Sequence, residues 1–418
     1  MRRVGSRWPL ALSACVVVAQ LLPLPSLVDV VSGAPPADLR LAYPLAHVAF
    51  APLTLLADFL NGSPARELKG FAVWLLAAFA AVRIARRPRT PMRLATRAGR
   101  ELLAFGLLLA ALAGFVVWGV LGPRPIARIS SAGPDVFVYD VHSHTAASHD
   151  GRPRFDAAAN AAWHARAGFD AAFVTDHNTG AAIRSWLAAD AHADARLLPG
   201  IELSLSGLHL LVLGAAADVP NETARGSWEA TGALLRGLAA APSTDSASGR
   251  AFLVASLPEY WRYRWGADLD SLVAWGVGGF EVWTTSPRAM DFPAALRREI
   301  VARCRREGLV MFGATDMHGL GASASVWNVV RMPGWRAMDA GALGAALAAR
   351  WRAGGPEANQ VVVRRRWIPD GEAQAVVAIP VNLAVLLRTA SPAHAASLLL
   401  WLWLPALLSA RRRAAPRP

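Results

Sequence analysis

Residues 8–31, 41–60, 71–84 and 102–121 form four apolar stretches in the first third of the chain, and 373–387 and 394–410 form two more in its tail. A helix crosses a bilayer core with about 20 apolar residues. The first and fourth stretches reach that length, the fourth with no charge inside it. The second carries Pro44, His47, Pro52 and Asp58 and the third is short, so each is expected as a poor span, a re-entrant piece or an interfacial helix. Arg388 and Pro392 interrupt the tail, and Arg411, Arg412 and Arg413 stop its last stretch. A cleaved signal peptide is the competing reading of 8–31, disfavoured by its length and by the apolar stretches that follow.

From about Pro134 the pattern changes to short extended runs separated by helical windows. Strands are predicted at 137–142, 171–175, 197–203, 208–213, 252–256, 279–284 and 309–314, with a Ser-Gly turn between the third and fourth. Asp156 is placed to cap an alanine-rich helix that Gly168 closes. Further helices are expected at 183–193 and 292–306, and 241–250 reads as a polar loop. Repeated strand–helix units over this length predict an α/β fold with a parallel sheet closed as a barrel. The predicted organisation is a membrane region over 1–131, a barrel over 132–370, and a C-terminal membrane segment with a basic tail over 371–418.

Composition agrees with a membrane protein. Of 418 residues, 54% are apolar and 17% charged, which excludes intrinsic disorder. The formal charge of +13 first suggests a nucleic-acid binder. Its distribution does not: residues 1–131 carry a net +10, 132–370 a net −1 and 371–418 a net +4. The barrel region is neutral, so no long nucleic acid is expected as a partner, and the lipid bilayer is. Cys15 and Cys304 are too few for a disulfide framework or a cysteine zinc site. Arginine-rich short loops favour the cytoplasm. Placing Arg2, Arg3 and Arg7, the loop from Arg83 to Arg100, and Arg411–Arg413 there requires an even number of crossings before Arg83. The barrel then falls on the extracytoplasmic side of a bacterial inner membrane; a rival assignment with all four N-terminal spans leaves it cytoplasmic.

The candidate chemistry sits at strand ends, where barrels of this kind keep their catalytic side chains. Asp140-Val141-His142-Ser143-His144 ends the first strand, and residues two apart share a face. Ser148-His149-Asp150-Gly151 follows in a tight turn. Asp176-His177 comes after the second strand, then Glu202, His209, and Asp316-Met317-His318 after the last. Each string alone is more simply a buried, paired or surface residue. Together they would bury many ionisable groups at one mouth, which costs several kcal/mol unless metal ions neutralise them. Imidazole and carboxylate donors suit zinc, iron or manganese.

These strings, in this order over about residues 135–325, resemble the polymerase and histidinol phosphatase (PHP) superfamily, metal-dependent phosphoesterases on a distorted (β/α)7 barrel. The resemblance does not reach the apolar ends, which would flank the barrel with transmembrane helices. It implies two to three divalent metal ions (Mn, Zn or Fe). His142, His144, Glu202 and Asp316 would hold one ion, His177 and His318 a further one with Asp150 (His149 as fallback), and His209 an ion shared with Glu202. The chain departs from the family at Leu257, where a ligand histidine usually stands before Pro258. Two ions are therefore the central expectation, with Glu259 or water as possible completion of a third. The rival amidohydrolase barrels often bridge their metals with a carboxylated lysine, and the only lysine here is Lys69, in the membrane region.

The expected activity is hydrolysis of a small phosphomonoester or phosphodiester by metal-activated hydroxide. His149 or His318 is the candidate acid for the leaving oxygen. Arg262 and Arg264, among aromatics, and Arg288 are candidate phosphate clamps, with a packed aromatic–arginine lid as the competing reading. Glu281 is expected either beside the ligands or as a plain strand-end carboxylate. The alternatives in other classes are a metal-dependent hydrolase of amidohydrolase type and a degenerate ligand-binding or signalling barrel, the latter motivated by Leu257. The sequence leaves oligomeric state open.

Overall fold

The computed structural model describes residues 7–85, 93–241, 251–258, 261, 268–286 and 289–414. The chain divides into two compact units, one of Leu27–Ala42 with Arg128–Arg364, the other of Met1–Ser26, Tyr43–Ala127 and Arg365–Pro418. The segments 27–42 and 128–131, inside the predicted membrane region, thus lie in the same unit as the strand–helix repeats.

That unit is α/β. Its strands are β1 (Leu27–Asp29), β2 (Leu39–Ala42), β3 (Arg128–Ser131), β4 (Val136–Ser143), β5 (Ala171–Val174), β6 (Arg196–Leu205), β7 (Leu208–Leu213), β8 (Phe252–Ser256), β9 (Gly279–Thr284), β10 (Val310–Ala314), β11 (Val326–Arg331) and β12 (Gln360–Arg364). Ten of them form one sheet in the order β1-β12-β11-β4-β5-β6-β7-β8-β9-β10, while β2 and β3 pair separately. All seven predicted strands are present. The sheet is mixed rather than parallel: β7 is antiparallel to both neighbours because the Ser206-Gly207 turn reverses the chain, and β11 is antiparallel to both β4 and β12, which flank it. The last two escaped the sequence pattern, since β11 carries Asn328 among its apolar residues and β12 is only five residues long. The helix predicted at 183–193 is Ala181–Ala188, stopping before Asp190, whose φ of 46° is left-handed.

Helices cover the outer face, and the predicted caps of Ala157–Ala167 are in place: Asp156 accepts from the Ala159 N–H, and Gly168 takes a left-handed φ. The inner face is packed around Trp351, from helix Ala340–Gly354. Its ring lies 6.0 Å from Tyr139, 5.9 Å from Phe173, 5.0 Å from Phe252 and 5.1 Å from Phe312. Those rings come from β4, β5, β8 and β10, which one side chain reaches together only because the sheet curls round it.

No continuous ladder joins β10 to β4. Two buried asparagines fill the gap. Asn328 accepts from the Gly313 N–H at 2.9 Å and donates to the carbonyls of Gly313 (2.6 Å) and Tyr139 (3.3 Å). Asn359 donates to the Met311 carbonyl and to Asn328, both at 2.8 Å, and accepts from the Tyr139 hydroxyl at 2.9 Å. Beyond the strand ends the Asp316 N–H donates to the His142 carbonyl and the His144 N–H to the Met317 carbonyl, so the two motif loops are tied directly.

The other unit is helical. The predicted stretch 8–31 is helix Arg7–Leu21, which ends before Pro23 and Pro25, and its remainder supplies β1. Stretch 41–60 does not form one span: it breaks into the end of β2 and helices Leu45–Ala49 and Ala51–Asn61. Helices Ala65–Ala85, Leu94–Leu121 and Glu372–Thr389 are each long and apolar enough to cross a membrane. Helix Pro392–Ala414 closes the chain among the described residues. Helices Arg7–Leu21 and Pro392–Ala414 run antiparallel, with Trp403 bonded to Ser13 and Gln20 to the carbonyls of Leu387 and Ala390. Helices Ala65–Ala85 and Leu94–Leu121 also run antiparallel, joined by Phe79 on Phe105 and by the Arg83–Glu101 pair.

One end of this bundle is polar inside. Asp58 accepts from Arg124 at 2.6 Å and pairs with His47 at 3.2 Å, and His47 bonds His394 at 3.0 Å. Glu67 holds Arg366 and Asn382. Buried charges in apolar surroundings persist when paired in this way.

Candidate metal centre

The strand ends deliver their side chains to one carboxylate. Glu202 is on β6, opposite Leu211 of β7, and the Ser204–His209 pairing brings His209 alongside it on the same face. The oxygens of Glu202 lie 3.2 Å from His142 Nε2, 3.3 Å from His144 Nε2, 3.1 Å from His177 Nδ1 and 2.6 Å from His209 Nδ1. Asp316 lies 3.1 Å from His144 Nε2, 3.4 Å from His142 Nε2 and 3.5 Å from His318 Nδ1. Asp150 lies 3.3 Å from His177 Nε2 and 3.2 Å from His318 Nε2. All eight metal-ligand candidates from the sequence therefore converge. The ring of His149 is exposed and 4.8 Å from that of His177. Arg262, Arg264, Arg288 and Glu259 lie outside the described residues.

Several local features hold the ligands. The turn before Asp150 closes so tightly that a Cβ at Gly151 would sit 1.9 Å from the Thr145 carbonyl oxygen, so only glycine fits. Asp176 accepts from the Thr145 N–H and hydroxyl, locking the loops after β4 and β5 together. Asn178 and Asp316 adopt left-handed backbone, at φ 57° and 51°. The Asn178 amide oxygen accepts from the Ser204 N–H and from Asn221, which anchors that strained turn.

One departure from the sequence expectation matters, and one open alternative is decided. Asp140 does not join the histidines: it pairs with His164 at 3.0 Å and holds the N–H and hydroxyl of Thr315, and β4 shifts register between Asp140 and Ser143. Glu281 is fully buried and accepts from His142 Nδ1 at 2.7 Å and from the Ser256 hydroxyl at 2.6 Å. Ser256 and His164 carried no sequence signal, because a strand serine and a helix histidine among alanines read as ordinary packing. Leu257 is buried in the apolar core.

The protonation states follow from burial opposed by close charges. Burial disfavours ionised Glu202, but the imidazoles of His209, His142 and His177 hold its carboxyl well below the usual range. Asp316 is likewise lowered, with burial outweighed chiefly by His142. Burial pushes His144 down to about 4 and lowers His177. His142 and His318 are raised, because the carboxylates of Glu202 and Asp316 respectively outweigh burial.

The donor set fits divalent metal ions. Nε2 of His142, Nδ1 of His144, Nδ1 of His177 and both oxygens of Glu202 are buried with no hydrogen-bond partner. Orphaned buried polar atoms of this kind are rare and call for a ligand. Three overlapping groups place ligand atoms within 4.8 Å of one another: His144, Asp150, His177 and His318; His142, His144 and Glu202; and His177, Glu202 and His209.

No family model matches the chain, and no curated protein matches it. Similar solved structures include a Bifidobacterium adolescentis protein described as a metal-dependent phosphoesterase, at 17% identity and TM-score 0.31, covering 44% of this chain and 88% of that one. PsfC from Pseudomonas syringae is 18% identical at TM-score 0.36, covering 61% and 98%. A Chromobacterium violaceum amidohydrolase with bound sulfate and no metal is 18% identical at TM-score 0.29, covering 48% and 95%.

Proposed function

We propose that the chain is a membrane-anchored, metal-dependent phosphoesterase of PHP type, its sheet the distorted (β/α)7 barrel of that superfamily. The observation that carries this reading is the single carboxylate, Glu202, within 3.3 Å of nitrogens from four imidazoles, with both of its oxygens and the facing nitrogens of His142 and His177 buried and without a hydrogen-bond partner. His142, His144, Glu202 and Asp316 would hold one ion, and His177, His318 and Asp150 a second. His209 would add a position shared with Glu202, which Leu257 leaves short of a ligand. The carboxylated-lysine bridge of the amidohydrolases has no residue to form it, and Glu202 would stand in its place.

Bound divalent ions supply Lewis acidity and bring the pKa of water towards neutrality. The protein supplies placement. Glu202 and Asp316 stay ionised and so balance the metal charge. The Nδ1–H of His318 donates to the Asp316 carbonyl at 2.8 Å, which directs its Nε2 towards Asp150. Exposed His149, beside His177, is the acid that protonates the leaving oxygen. The substrate is a small phosphomonoester or phosphodiester.

The same reading places the chain in the membrane with this barrel extracytoplasmic. In the helical unit Arg7, Arg83, Arg97, Arg100 and Arg411–Arg413 stand at the helix ends away from His47, Asp58 and Glu67. Positive ends on one side of a bundle are the cytoplasmic signature. The chain leaves this unit after Ser26 and Ala127 and re-enters it at Tyr43 and Arg365.

The test is elemental analysis of detergent-purified protein, followed by a phosphomonoester and phosphodiester screen with Mn²⁺, Zn²⁺ and Fe²⁺ in turn. Bound metal with turnover that His142→Ala abolishes supports the reading. Metal-free protein, or hydrolysis indifferent to His142→Ala, overturns it.

A further inference from the structure

Helix Glu372–Thr389 has the length and composition of a membrane span, yet its contacts place both of its ends at the same end of the helical unit. At its start Glu372 pairs with Lys69 at 3.1 Å, two residues from Glu67. In its middle Asn382 donates to Glu67 at 3.0 Å and to the Trp367 carbonyl at 2.8 Å, and accepts from the Trp367 N–H. At its end Arg388 donates to the Leu22 carbonyl, and its own carbonyl accepts from Leu24. These partners are neighbours of one another. Arg366, next to Trp367, is held by Glu67, and Arg365 bonds the carbonyls of Pro25 and Ser26.

Eighteen residues of helix measure about 27 Å. A helix along the bundle axis would carry Arg388 that far from Glu372, to the end where Arg83 meets Glu101. Instead its first turn crosses Ala65–Ala85 at Gly70, where a Cβ would sit 2.1 Å from the Ala375 carbonyl oxygen. From there the helix runs sideways over the polar bundle end to Leu22.

Its two faces differ accordingly. Ala375, Ala378, Ile379 and Asn382 are buried against the bundle. Gln374, Val377, Val381 and Ala384, at helical spacing, form an exposed stripe with Leu383 beside it. No charged residue lies between Glu372 and Arg388. The stripe is apolar from Val377 to Ala384, with polar Gln374 and charged Glu372 at one end and Arg388 at the other, which matches the boundary between acyl chains and headgroups rather than bulk water or the bilayer centre.

We propose that this helix does not cross the membrane but lies in its plane, the Val377–Val381 stripe in contact with lipid at the headgroup–acyl boundary. Ala65–Ala85 and Leu94–Leu121 then remain as the helices with the length and composition of a span among the described residues. The proposal rests on the membrane insertion put forward above.

Depth measurement tests it. Single cysteines replace Ala373, Val381 and Ala384 in full-length protein carrying Cys15→Ser and Cys304→Ser. Each is labelled with the environment-sensitive fluorophore NBD in phosphatidylcholine–phosphatidylglycerol vesicles, with nitroxides high or low on the acyl chain as quenchers. Leu107→Cys, mid-way along Leu94–Leu121, is the deep control. In-plane placement predicts that all three tail sites lose most fluorescence to the shallow nitroxide, while position 107 loses most to the deep one. Strong deep quenching at 381 with shallow quenching at 373 means that the helix spans, and overturns this proposal alone. Absence of quenching at every site, 107 included, overturns membrane insertion and this proposal together.

Discussion

Nδ1 of His142 lies 2.7 Å from Oε1 of Glu281, whose other oxygen is held by the Ser256 hydroxyl. With Nδ1–H committed to that carboxylate, Nε2 is the nitrogen aimed at Glu202 and Asp316 and the one that would give its lone pair to a bound metal. A carboxylate behind a ligand histidine fixes its tautomer and raises its donor strength. Glu281→Ala is therefore expected to weaken metal binding about 10- to 100-fold, the usual cost of losing such a partner. Glu281→Gln, which keeps an acceptor but not the charge, should fall between. Competitive titration with a chromogenic chelator measures both, and unchanged affinity in Glu281→Ala would refute the role.

Removing metal should loosen the fold. Chelation leaves the imidazoles of His142 and His144 and the carboxylates of Glu202 and Asp316 packed together uncompensated. A ligand at 100 times its Kd stabilises the state that binds it by about 2.7 kcal/mol. Dialysis against a chelator should lower the melting temperature, and added Mn²⁺ or Zn²⁺ should restore it. A melting temperature indifferent to both would contradict the site.

His149 and His318 are separable. His318 faces Asp150 within a candidate ligand group, whereas His149 is exposed beside it. His149→Ala should keep full metal content and lose about 10²- to 10⁴-fold in kcat, the range for a general acid. The loss should shrink with substrates whose leaving group is already a weak base. His318→Ala should lose metal and activity together. Equal metal loss in both would remove the distinction.

Asn328 closes the seam between β10 and β4, so Asn328→Ala strands the Gly313 N–H and takes donors from two carbonyls. A buried group left without its partner costs about 1–3 kcal/mol. Urea unfolding of the mutant should show a loss of that size or larger, and a loss within error would show the seam to be held otherwise.

Asp170 gives a pH dependence away from the metal ligands. Burial raises its carboxyl to about 6, against the opposing hydrogen bond from the Val138 N–H. The folded state thus holds this proton more tightly than the unfolded state. The stabilisation is complete below about pH 4 and disappears as the pH rises through about 6. Asp170→Asn should accordingly raise the melting temperature at pH 7–8 relative to wild type, with the gap closing towards pH 4. A gap independent of pH would assign the effect to something other than this carboxyl.

The strand positions and the candidate ligand strings were legible because both are local: alternation marks the strands, His142 and Glu202 lie near the ends of two of them, and His177 and Asp316 follow two others. What escaped depends on contacts between distant segments. Asp140 shares the spacing of His142, yet the register shift in β4 sends it to His164 and Thr315. Glu281 had two readings in the sequence, and only the imidazole that it meets across the sheet decides between them. Asn328 and Asn359 look like interruptions of apolar strands until β10 is seen to lack a partner there. Stretch 41–60 is apolar enough to suggest a span, but Pro44 and Pro52 break it, and its polar residues Asp58 and His47 have partners, Arg124 and His394, that sequence spacing does not reveal.

The aromatic plug around Trp351 has a consequence for the proposed activity. Tyr139, Phe173, Phe252 and Phe312 each precede the strand end that carries site chemistry, so the layer that they form with Trp351 seals the curled sheet beneath the ligands. Among the described residues the candidate ligands are thus closed off from below. Under the proposed activity a long strand would not thread through the centre, whereas free monomers and exposed chain termini would enter end-on. Both products would then leave on the side by which the substrate entered, and inorganic phosphate is expected to compete directly with substrate.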